Sequence, residues 1–155
     1  MKTRLFLGID PGWNGSFAIY DARENSVQTI NMPDDIFGIV DVFKDLNSQA
    51  VNFAIMEKVQ GYIGKNQPGS RMFRFGENFG ALECCLASFQ IRHSILPPQK
   101  WRQLLGIPVR GKSMNKVDYQ RLLVRHCMQL IPGCEVSIKT ADSILLAVCA
   151  FKFFQ

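Results

Sequence analysis

Three acidic residues that are far apart in the chain each stand at the end of an apolar segment. Asp10 follows the apolar run LFLGI, Glu57 follows FAIM, and Asp142 begins the segment DSILLAV. A carboxylate at the end of a buried element loses hydration unless it is paired or binds a metal ion. Because sites in open α/β sheets form outside the carboxyl ends of strands, acids at such ends can converge at one sheet edge. The pattern therefore favours an α/β fold in which the three carboxylates form a metal site.

Apolar periodicity and turn signals predict the element order β-β-β-α-β-α-β-α-α-α. Asp34 and Asp35 are expected to cap the first helix, and Ser113 the fourth. The strand–helix–strand passage that leads to Glu57 favours a parallel crossover. The predicted strands cover about 4–10, 15–21, 26–31, 51–57 and 92–96, and the predicted helices about 36–46, 71–89, 98–105, 114–130 and 139–153. With 155 residues, the chain is expected to form one domain over residues 1–155.

The composition is that of an ordinary globular protein. Its residues are 47% hydrophobic and 20% charged, and no apolar run approaches the ~20 residues that span a bilayer. The five cysteines are odd in number and lack paired C-x-x-C spacing, which argues against a disulfide framework and a zinc ribbon. We therefore expect a soluble, intracellular protein that does not act at a membrane.

The net charge of +5 is unevenly distributed along the chain. Acids are frequent in the N-terminal third, whereas the stretch from Arg92 to Arg125 holds Asp118 as its only acid. The basic residues of that stretch are Arg92, Lys100, Arg102, Arg110, Lys112, Lys116, Arg121 and Arg125. This distribution indicates a surface that meets a polyanion, although a solvated basic helix face would give the same pattern.

Each of the three acids also has a simpler interpretation. Asp10 begins the turn sequence Asp10-Pro11-Gly12, where aspartate is common. Glu57 could reach water from a strand end, and Asp142 could complement the dipole of its helix. Together, however, the three acids indicate metal binding more strongly than any one of them. Two hard cations roughly 4 Å apart would clamp the attacking and leaving oxygens in phosphodiester hydrolysis, and Mg²⁺ suits such carboxylates.

Four short motifs resemble the RuvC-type Holliday-junction resolvases, and specifically the branch found in phages and organelles. They are GIDPG at 8–12, MEKV at 56–59, PQKW at 98–101 and ADSILLA at 141–147. The segment MFRFG at 72–76, with the Phe79-Gly80 pair after it, is similar to the helix that follows the glutamate in that branch. The resemblance covers nearly the whole chain.

The resemblance implies an RNase H-like fold, a five-stranded mixed sheet flanked by helices. It also implies a homodimeric endonuclease that uses Mg²⁺, with Mn²⁺ as an expected substitute, to nick four-way DNA junctions symmetrically. Such an enzyme would act in DNA recombination and repair, in the host cytoplasm for a phage protein or in an organelle. The implied metal ligands and catalytic residues are Asp10, Glu57 and Asp142.

The sequence departs from the family at one position. The family usually has a second acid about one helical turn before the last one, and this chain has Lys139 there. Lys139 could act in catalysis, by holding the scissile phosphate or by lowering the pKa of the attacking water. Alternatively, Glu135 could substitute for the acid, or the site could bind junctions and cut them poorly. A solvated lysine is the simplest alternative.

The charge pattern and the aromatic residues predict DNA contacts around the site. The predicted phosphate-binding residues are Lys58, Lys65, Arg71, Arg74, Lys100, Arg102, Arg110, Lys112 and Lys116. The candidates for stacking on unpaired bases at the junction centre are Tyr62, Phe73 and Phe75, although core packing is an alternative for the phenylalanines. The predicted dimer contacts lie on the helix that begins near Arg71, at Met72, Phe75, Phe79, Leu82 and Leu86.

Two other functions fit parts of the sequence. A junction-binding or branched-DNA-binding protein that retains the fold but cuts weakly or not at all would explain Lys139. Nucleotide-binding ATPases of the actin-like superfamily have an opening similar to residues 8–12. They need two such domains, however, and this chain has the length for one.

Overall fold

A five-stranded mixed sheet forms the centre of the computed structural model, which describes residues 4–59 and 68–154. The strands are β1 Leu5–Asp10, β2 Ser16–Asp21, β3 Ser26–Asn31, β4 Phe53–Glu57 and β5 His93–Leu96. The helices are α1 Ile36–Ser48, α2 Gly69–Ser88, α3 Pro98–Leu104, α4 Lys116–Leu130 and α5 Ala141–Phe154. This confirms the predicted element order and the predicted mixed sheet. Tyr62 and Lys65 lie outside the described residues.

The strands are ordered β3-β2-β1-β4-β5 across the sheet. The first three form an antiparallel meander, whereas β4 pairs with β1 and with β5 in parallel. The parallel pairing of β4 with β1 confirms the predicted crossover through α1. It also brings the carboxyl ends of β1 and β4 to the same edge of the sheet.

Both faces of the sheet are covered by helices, because successive strand residues point to opposite faces and both sets are apolar. On one face, Phe6 and Ile55 pack against α3, α4 and α5. On the other face, Leu7 and Met56 pack against α1 and α2. The sheet is therefore the middle of three layers, with helices on both of its faces. Solvent reaches it at the ends of its strands.

Helix α5 lies directly on β1, because Gly8 leaves room for its backbone. A side chain at Gly8 would overlap the carbonyl oxygen of Ser143 and the amide nitrogen of Ala147. The residues of α5 from Ser143 to Ala150 are all buried. The close contact fixes Asp142, in the first turn of α5, relative to β1.

We expect the substitution Gly8→Ala to lower the free energy of unfolding by at least ~3 kcal/mol, because the methyl group meets backbone that cannot move aside. Gly69→Ala is the matched control, since nothing lies within 4 Å of a methyl group at that position. Urea unfolding followed by circular dichroism measures both variants. Equal stability of the two variants would contradict the close contact between β1 and α5.

The predicted starts of three helices are wrong by two residues, and one of them is α2, which begins at Gly69 rather than near Arg71. Ser113 does not cap α4, since the side chain of Asn115 accepts the Asp118 amide proton (2.8 Å) and the helix begins at Lys116. Helix α5 begins at Ala141, so Lys139 lies in the turn before the helix rather than in its first turn. The predicted cap of α1 is confirmed at Asp35, whose side chain accepts from the Gly38 amide (2.8 Å).

The predicted dimer contacts on α2 are partly wrong. Leu82 and Leu86 are fully buried in the chain's own core, and Phe79 packs against the same core. The apolar stripe of α2 is therefore occupied by the sheet. The residues that α2 exposes along its opposite side include Phe73, Gly76, Glu77, Gly80 and Cys84. No helix within the described ranges is long and apolar enough to cross a membrane.

Candidate active site

The three acids predicted from the sequence converge at one edge of the sheet. Asp10 and Glu57 end neighbouring parallel strands, one residue beyond the register pair Ile9 and Met56. Asp142 approaches from α5, which packs across β1. All three acids are partly buried.

The electrostatics of the three carboxyl groups show that they face one another. Burial raises the pKa of Asp10 well above its ordinary value, and the charges of Asp142 and Glu57 raise it further. Burial, followed by the charge of Asp142, raises the pKa of Glu57 to about 7. Burial also raises the pKa of Asp142. Because Asp142 opposes the ionisation of Asp10 and Glu57, and Glu57 opposes that of Asp10, the cluster favours a bound cation.

Trp101 holds Glu57 in one orientation through a hydrogen bond. Its ring is fully buried between α3 and the core, and Trp101 Nε1 donates a hydrogen bond to Glu57 Oε2 (2.9 Å). The bond favours the ionised carboxylate, and so it lowers the pKa of Glu57 against the effect of burial. Trp101 therefore fixes the position of one carboxylate oxygen of Glu57.

Arg102 is the cation nearest to the three acids in the described part of the chain. Arg102 Nη2 lies 3.7 Å from Asp142 Oδ1, which is an ion pair beyond hydrogen-bond range. Its guanidinium carbon lies 4.8 Å from the ring centre of Trp101 and 5.5 Å from that of Tyr119. The charge of Arg102 lowers the pKa of all three acids. Arg102 was predicted as an outer phosphate contact, and the structure places it against the acids.

Two buried polar atoms in this cluster have no hydrogen-bond partner among residues 4–59 and 68–154. They are Asp142 Oδ1 and Arg102 Nε. A buried polar atom without a partner costs about 1–3 kcal/mol, and functional sites are where such a cost is tolerated. The acceptor of Asp142 fits a cation, and the donor of Arg102 fits an anionic oxygen.

The residues present fit Mg²⁺ as an ion that keeps several waters. In the described ranges, no three His, Cys, Asp or Glu side chains form a group tight enough to hold an ion by themselves. Mg²⁺ does not need such a cage, since it is usually bound by one or two carboxylates together with substrate phosphates and water. The all-oxygen donors of Asp10, Glu57 and Asp142 are the ligand type that it prefers.

A pair of buried serines fixes the turn before α5. Ser16 Oγ and Ser143 Oγ are 2.7 Å apart, and Ser143 Oγ also donates to the Thr140 carbonyl (3.0 Å). Ser16 Oγ further reaches the carbonyl oxygen of Lys139 (3.3 Å). Because Ser16 is the register partner of Asp10, these bonds connect the Asp142 end of α5 to the strand beside Asp10.

The two residues proposed to compensate for the missing acid lie in different places. Lys139 is exposed in the turn before α5, and its backbone carbonyl accepts a hydrogen bond from Ser16 Oγ. Glu135 instead lines a separate groove with residues 25–29 of β3 and the turn before it. Glu135 is also absent from the charges that shift the pKa of the three acids. The hypothesis that Glu135 substitutes for the fourth acid is therefore not supported.

A wide groove of about 1000 Å³ opens beside Asp10. Its walls are the turn at residues 10–15 and the N-terminal part of α2, which contributes Arg71, Arg74 and Phe75. Trp13 is held there by a hydrogen bond from its Nε1 to the Arg74 carbonyl (2.7 Å), with the Arg74 guanidinium over its ring. The predicted DNA contacts Arg71 and Arg74 thus lie at the mouth of the site.

Within residues 4–59 and 68–154, the remaining predicted phosphate contacts are all exposed. Lys58 directly follows Glu57, and Lys100 shares α3 with Trp101. Three more basic residues lie on the segment before α4 and on its first turn: Arg110, Lys112 and Lys116. Phe73 is 69% exposed, so core packing does not explain it. Phe75 contacts Gly12, and so it forms part of the groove wall.

Three residues near the acids were not identified from the sequence. Trp101 was recognised only within its motif, since no sequence signal reveals its bond to Glu57. Trp13 was not singled out at all. Asn78 gave a signal that could have been used, because it lies four and eight residues before Leu82 and Leu86, on the buried stripe of α2. A polar residue in an apolar stripe indicates a specific hydrogen bond.

No protein-family model matches the sequence, and no curated protein is similar to it. Three solved structures are similar to it in fold. RuvC of Thermus thermophilus in complex with Holliday junction substrate has a TM-score of 0.65 at 11% identity, over 97% of this chain and 94% of that chain. A second structure of Thermus thermophilus RuvC has a TM-score of 0.65 at 12% identity, over 97% and 95% of the two chains. The yeast mitochondrial Holliday junction resolvase Ydc2 has a TM-score of 0.51 at 16% identity, over 97% and 79%.

At these identities the similarity concerns the fold. It extends over nearly the full length of both chains in the case of Thermus thermophilus RuvC. The five strands, the mixed pairing and the flanking helices are those that the resemblance implied. The chain therefore has the RuvC-like, RNase H-like fold, with Asp10, Glu57 and Asp142 together at one edge of its sheet.

Proposed function

We propose that this chain is a Mg²⁺-dependent, structure-selective DNA endonuclease that resolves Holliday junctions. The observation that carries the proposal is the cluster of Asp10, Glu57 and Asp142 beside Arg102, at the carboxyl edge of a RuvC-like sheet. Both neighbours in fold are junction proteins by description, RuvC with its Holliday junction substrate and the mitochondrial resolvase. The four sequence motifs resemble those of the phage and organellar branch, and we propose that the chain belongs to that branch and that residues 1–155 form one nuclease domain.

Asp10, Glu57 and Asp142 would hold the Mg²⁺ in this proposal. When bound, Mg²⁺ supplies Lewis-acid stabilisation of the charge that develops on the phosphate oxygens, and it activates water as the nucleophile. Trp101 holds Glu57 in one orientation through its Nε1 bond. The serine pair holds the end of α5, and so it positions Asp142 relative to Asp10.

Arg102 is suited to bind the scissile phosphate. Its Nε is buried without a protein partner, and the rings of Trp101 and Tyr119 restrict the orientation of the guanidinium group. A guanidinium group held in this way offers directed N–H donors to phosphate oxygens at no cost of reorientation. Lys139, which is exposed in the turn before α5, would supply a further positive charge where the resolvase family usually has an acid.

The basic residues around the site would contact the phosphates of the junction arms. Arg71 and Arg74 line the groove at Asp10, and Lys58 follows Glu57 directly. Contacts of this kind are independent of sequence and sensitive to salt. Recognition of the branch, rather than of a base sequence, would then come from the spacing of two such sites.

A homodimer would provide the two sites. Paired nicks on opposed strands require two active sites related by a twofold axis. The outer side of α2 is the surface proposed for the partner, since Phe73 and the glycines Gly76 and Gly80 are exposed there. Its inner side is occupied by the core, so the dimer contacts differ from those that the sequence suggested.

The second candidate is a junction-binding protein that cuts weakly or not at all. Lys139 favours it, because it stands where the resolvase family usually has an acid. The partly buried acids with raised pKa values favour the nuclease, since a protein that only binds DNA gains nothing from carboxylates beside its phosphate-binding residues.

The test is cleavage of a synthetic four-way junction by the purified protein. With Mg²⁺ or Mn²⁺ we expect two nicks at symmetrical positions on opposed strands, and none with a chelator. A linear duplex of the same sequence is the matched substrate and should remain intact. Binding of the junction without nicking in either metal would contradict the proposed nuclease activity and support the second candidate. Light scattering of the free protein tests whether it is a dimer.

A further inference from the structure

The turn that follows Asp10 is held by a buried amide on α2. Asn78 is fully buried, and its Oδ1 accepts a hydrogen bond from the Gly12 backbone amide (2.7 Å). The orientation of the side chain is fixed, because a backbone N–H can only face the amide oxygen. Gly12 lies two residues after Asp10, in the wall of the groove.

Two more contacts connect the same part of α2 to the same turn. Trp13 Nε1 donates to the carbonyl oxygen of Arg74 (2.7 Å), and the ring of Phe75 packs against Gly12. Gly12 has φ +103°, a conformation that favours glycine, and Phe75 leaves no room for a side chain there. Residues 74, 75 and 78 thus bind two consecutive residues of the turn.

The hydrogen bond that Asn78 Oδ1 accepts is accompanied by an energetic cost at Nδ2, the other end of the same amide group. Asn78 Nδ2 is buried and has no hydrogen-bond partner in the described part of the chain. An amide group left in this state costs about 1–3 kcal/mol. Its neighbours along the buried stripe, Leu82 and Leu86, are apolar, so packing alone would favour an apolar residue at this position. What asparagine provides is the acceptor for the Gly12 amide.

We propose that Asn78 is a positioning residue for Asp10. By holding Gly12, it fixes the turn at 10–15 and with it the direction of the Asp10 carboxylate. The same contact keeps Asp10 across the groove from Arg71 and Arg74, which line its other wall. The role of Asn78 in the active site rests on the proposed nuclease function. The hydrogen bond by which Asn78 fixes the turn does not depend on that function.

The substitution Asn78→Ala removes the acceptor. Since a misplacement of about 1 Å at a reacting centre costs as much as 10²-fold in rate, we expect kcat for junction nicking to fall about 10- to 100-fold. KM and the Kd for the junction should change less than about twofold, because the basic residues remain in place. Hydrogen exchange at the Gly12 amide should accelerate, and Mg²⁺ should bind more weakly in calorimetry.

Asn78→Asp is the conservative variant, because it keeps an oxygen that can accept from Gly12. It should restore protection of the Gly12 amide and recover most of kcat. Leu82→Ala, one turn further along the same stripe, is the matched control for lost stability, and its kcat should remain near the native value. Asn78→Ser, whose side chain is too short to reach Gly12, replaces Asn78→Ala for these measurements if that variant does not fold.

Three results would overturn the proposal. One is native kcat in Asn78→Ala, another is an equal loss of kcat in Leu82→Ala, and the third is no recovery in Asn78→Asp. A native protein that never nicks junctions would instead contradict the proposed function. The role of Asn78 would then be decided by Gly12 exchange and Mg²⁺ titration, and unchanged values of both in Asn78→Ala would overturn it.

Discussion

Replacing Asp10 by asparagine is expected to abolish cleavage and, at the same time, to make the metal-free protein more stable. Asp10 is the acid that faces both of the others, since Asp142 and Glu57 each raise its pKa. Metal ions contribute several kcal/mol of transition-state stabilisation, so losing this ligand should lower nicking at least ~10³-fold. Binding of the junction should persist, because the basic residues are unchanged.

The gain in stability follows from the direction of the pKa shifts. A carboxyl group whose pKa is raised by folding stabilises the protein below its unfolded pKa, and the contribution is lost as pH rises through the folded value. For Glu57 this window extends from about 4.5 to about 7, which corresponds to a loss on the order of 3 kcal/mol. Asp10 and Asp142 shift in the same direction. The metal-free protein should therefore lose stability from pH 4.5 to 8, and Asp10→Asn should reduce that loss.

Thermal unfolding with a chelator, across this pH range, measures the effect. Asp41→Asn is the matched control, because Asp41 is exposed on α1 and paired with Lys44 at 2.9 Å. Asp41→Asn should cleave junctions at the native rate, and its Tm should depend on pH as that of the native protein does. Added Mg²⁺ should raise the Tm of the native protein at pH 8 and have little effect on Asp10→Asn. A lower Tm in Asp10→Asn than in the native protein at pH 8 would contradict the electrostatic account of the site.

The order of the elements and the location of the acids could be predicted from the sequence. Strand alternation and turn signals are local, so β1 and β4 were recognised within one or two residues. The parallel pairing of those strands then requires Asp10 and Glu57 to lie at the same sheet edge. Asp142 could be placed with them because the apolar segment after it has to be buried, and the sheet is the surface available for it.

The side-chain network around the acids could not be predicted, because it depends on contacts between distant segments. Trp101 and Glu57 are bonded across 44 positions, and Gly12 and Asn78 across 66. Apolar periodicity shows that α2 has a buried stripe, but it does not show whether the sheet or a second copy covers it. Leu82 and Leu86 were assigned to a partner for that reason, and the sheet in fact covers them.

Arg102→Ala is expected to separate phosphate binding from metal binding. Arg102 Nε is buried with no hydrogen-bond partner in the described ranges, and the guanidinium group faces Asp142 at 3.7 Å. Loss of one preorganised donor at a developing charge typically lowers kcat by about 10²- to 10³-fold, and we expect that loss here. Arg102→Lys should recover only part of it, since lysine cannot reproduce the planar fork of donors.

The affinity for Mg²⁺ should respond to Arg102→Ala in a different way from the rate. The positive charge of Arg102 repels a cation, yet it also lowers the pKa of Asp10, Glu57 and Asp142. Without it, Mg²⁺ should bind at least as tightly at alkaline pH, where the acids are ionised, and more weakly near pH 6. Calorimetry at the two pH values measures this, with Arg121→Ala, an exposed pair with Asp118, as the control. Weaker binding at both pH values, parallel to the loss of cleavage, would mean that Arg102 supports the acids structurally rather than binding phosphate.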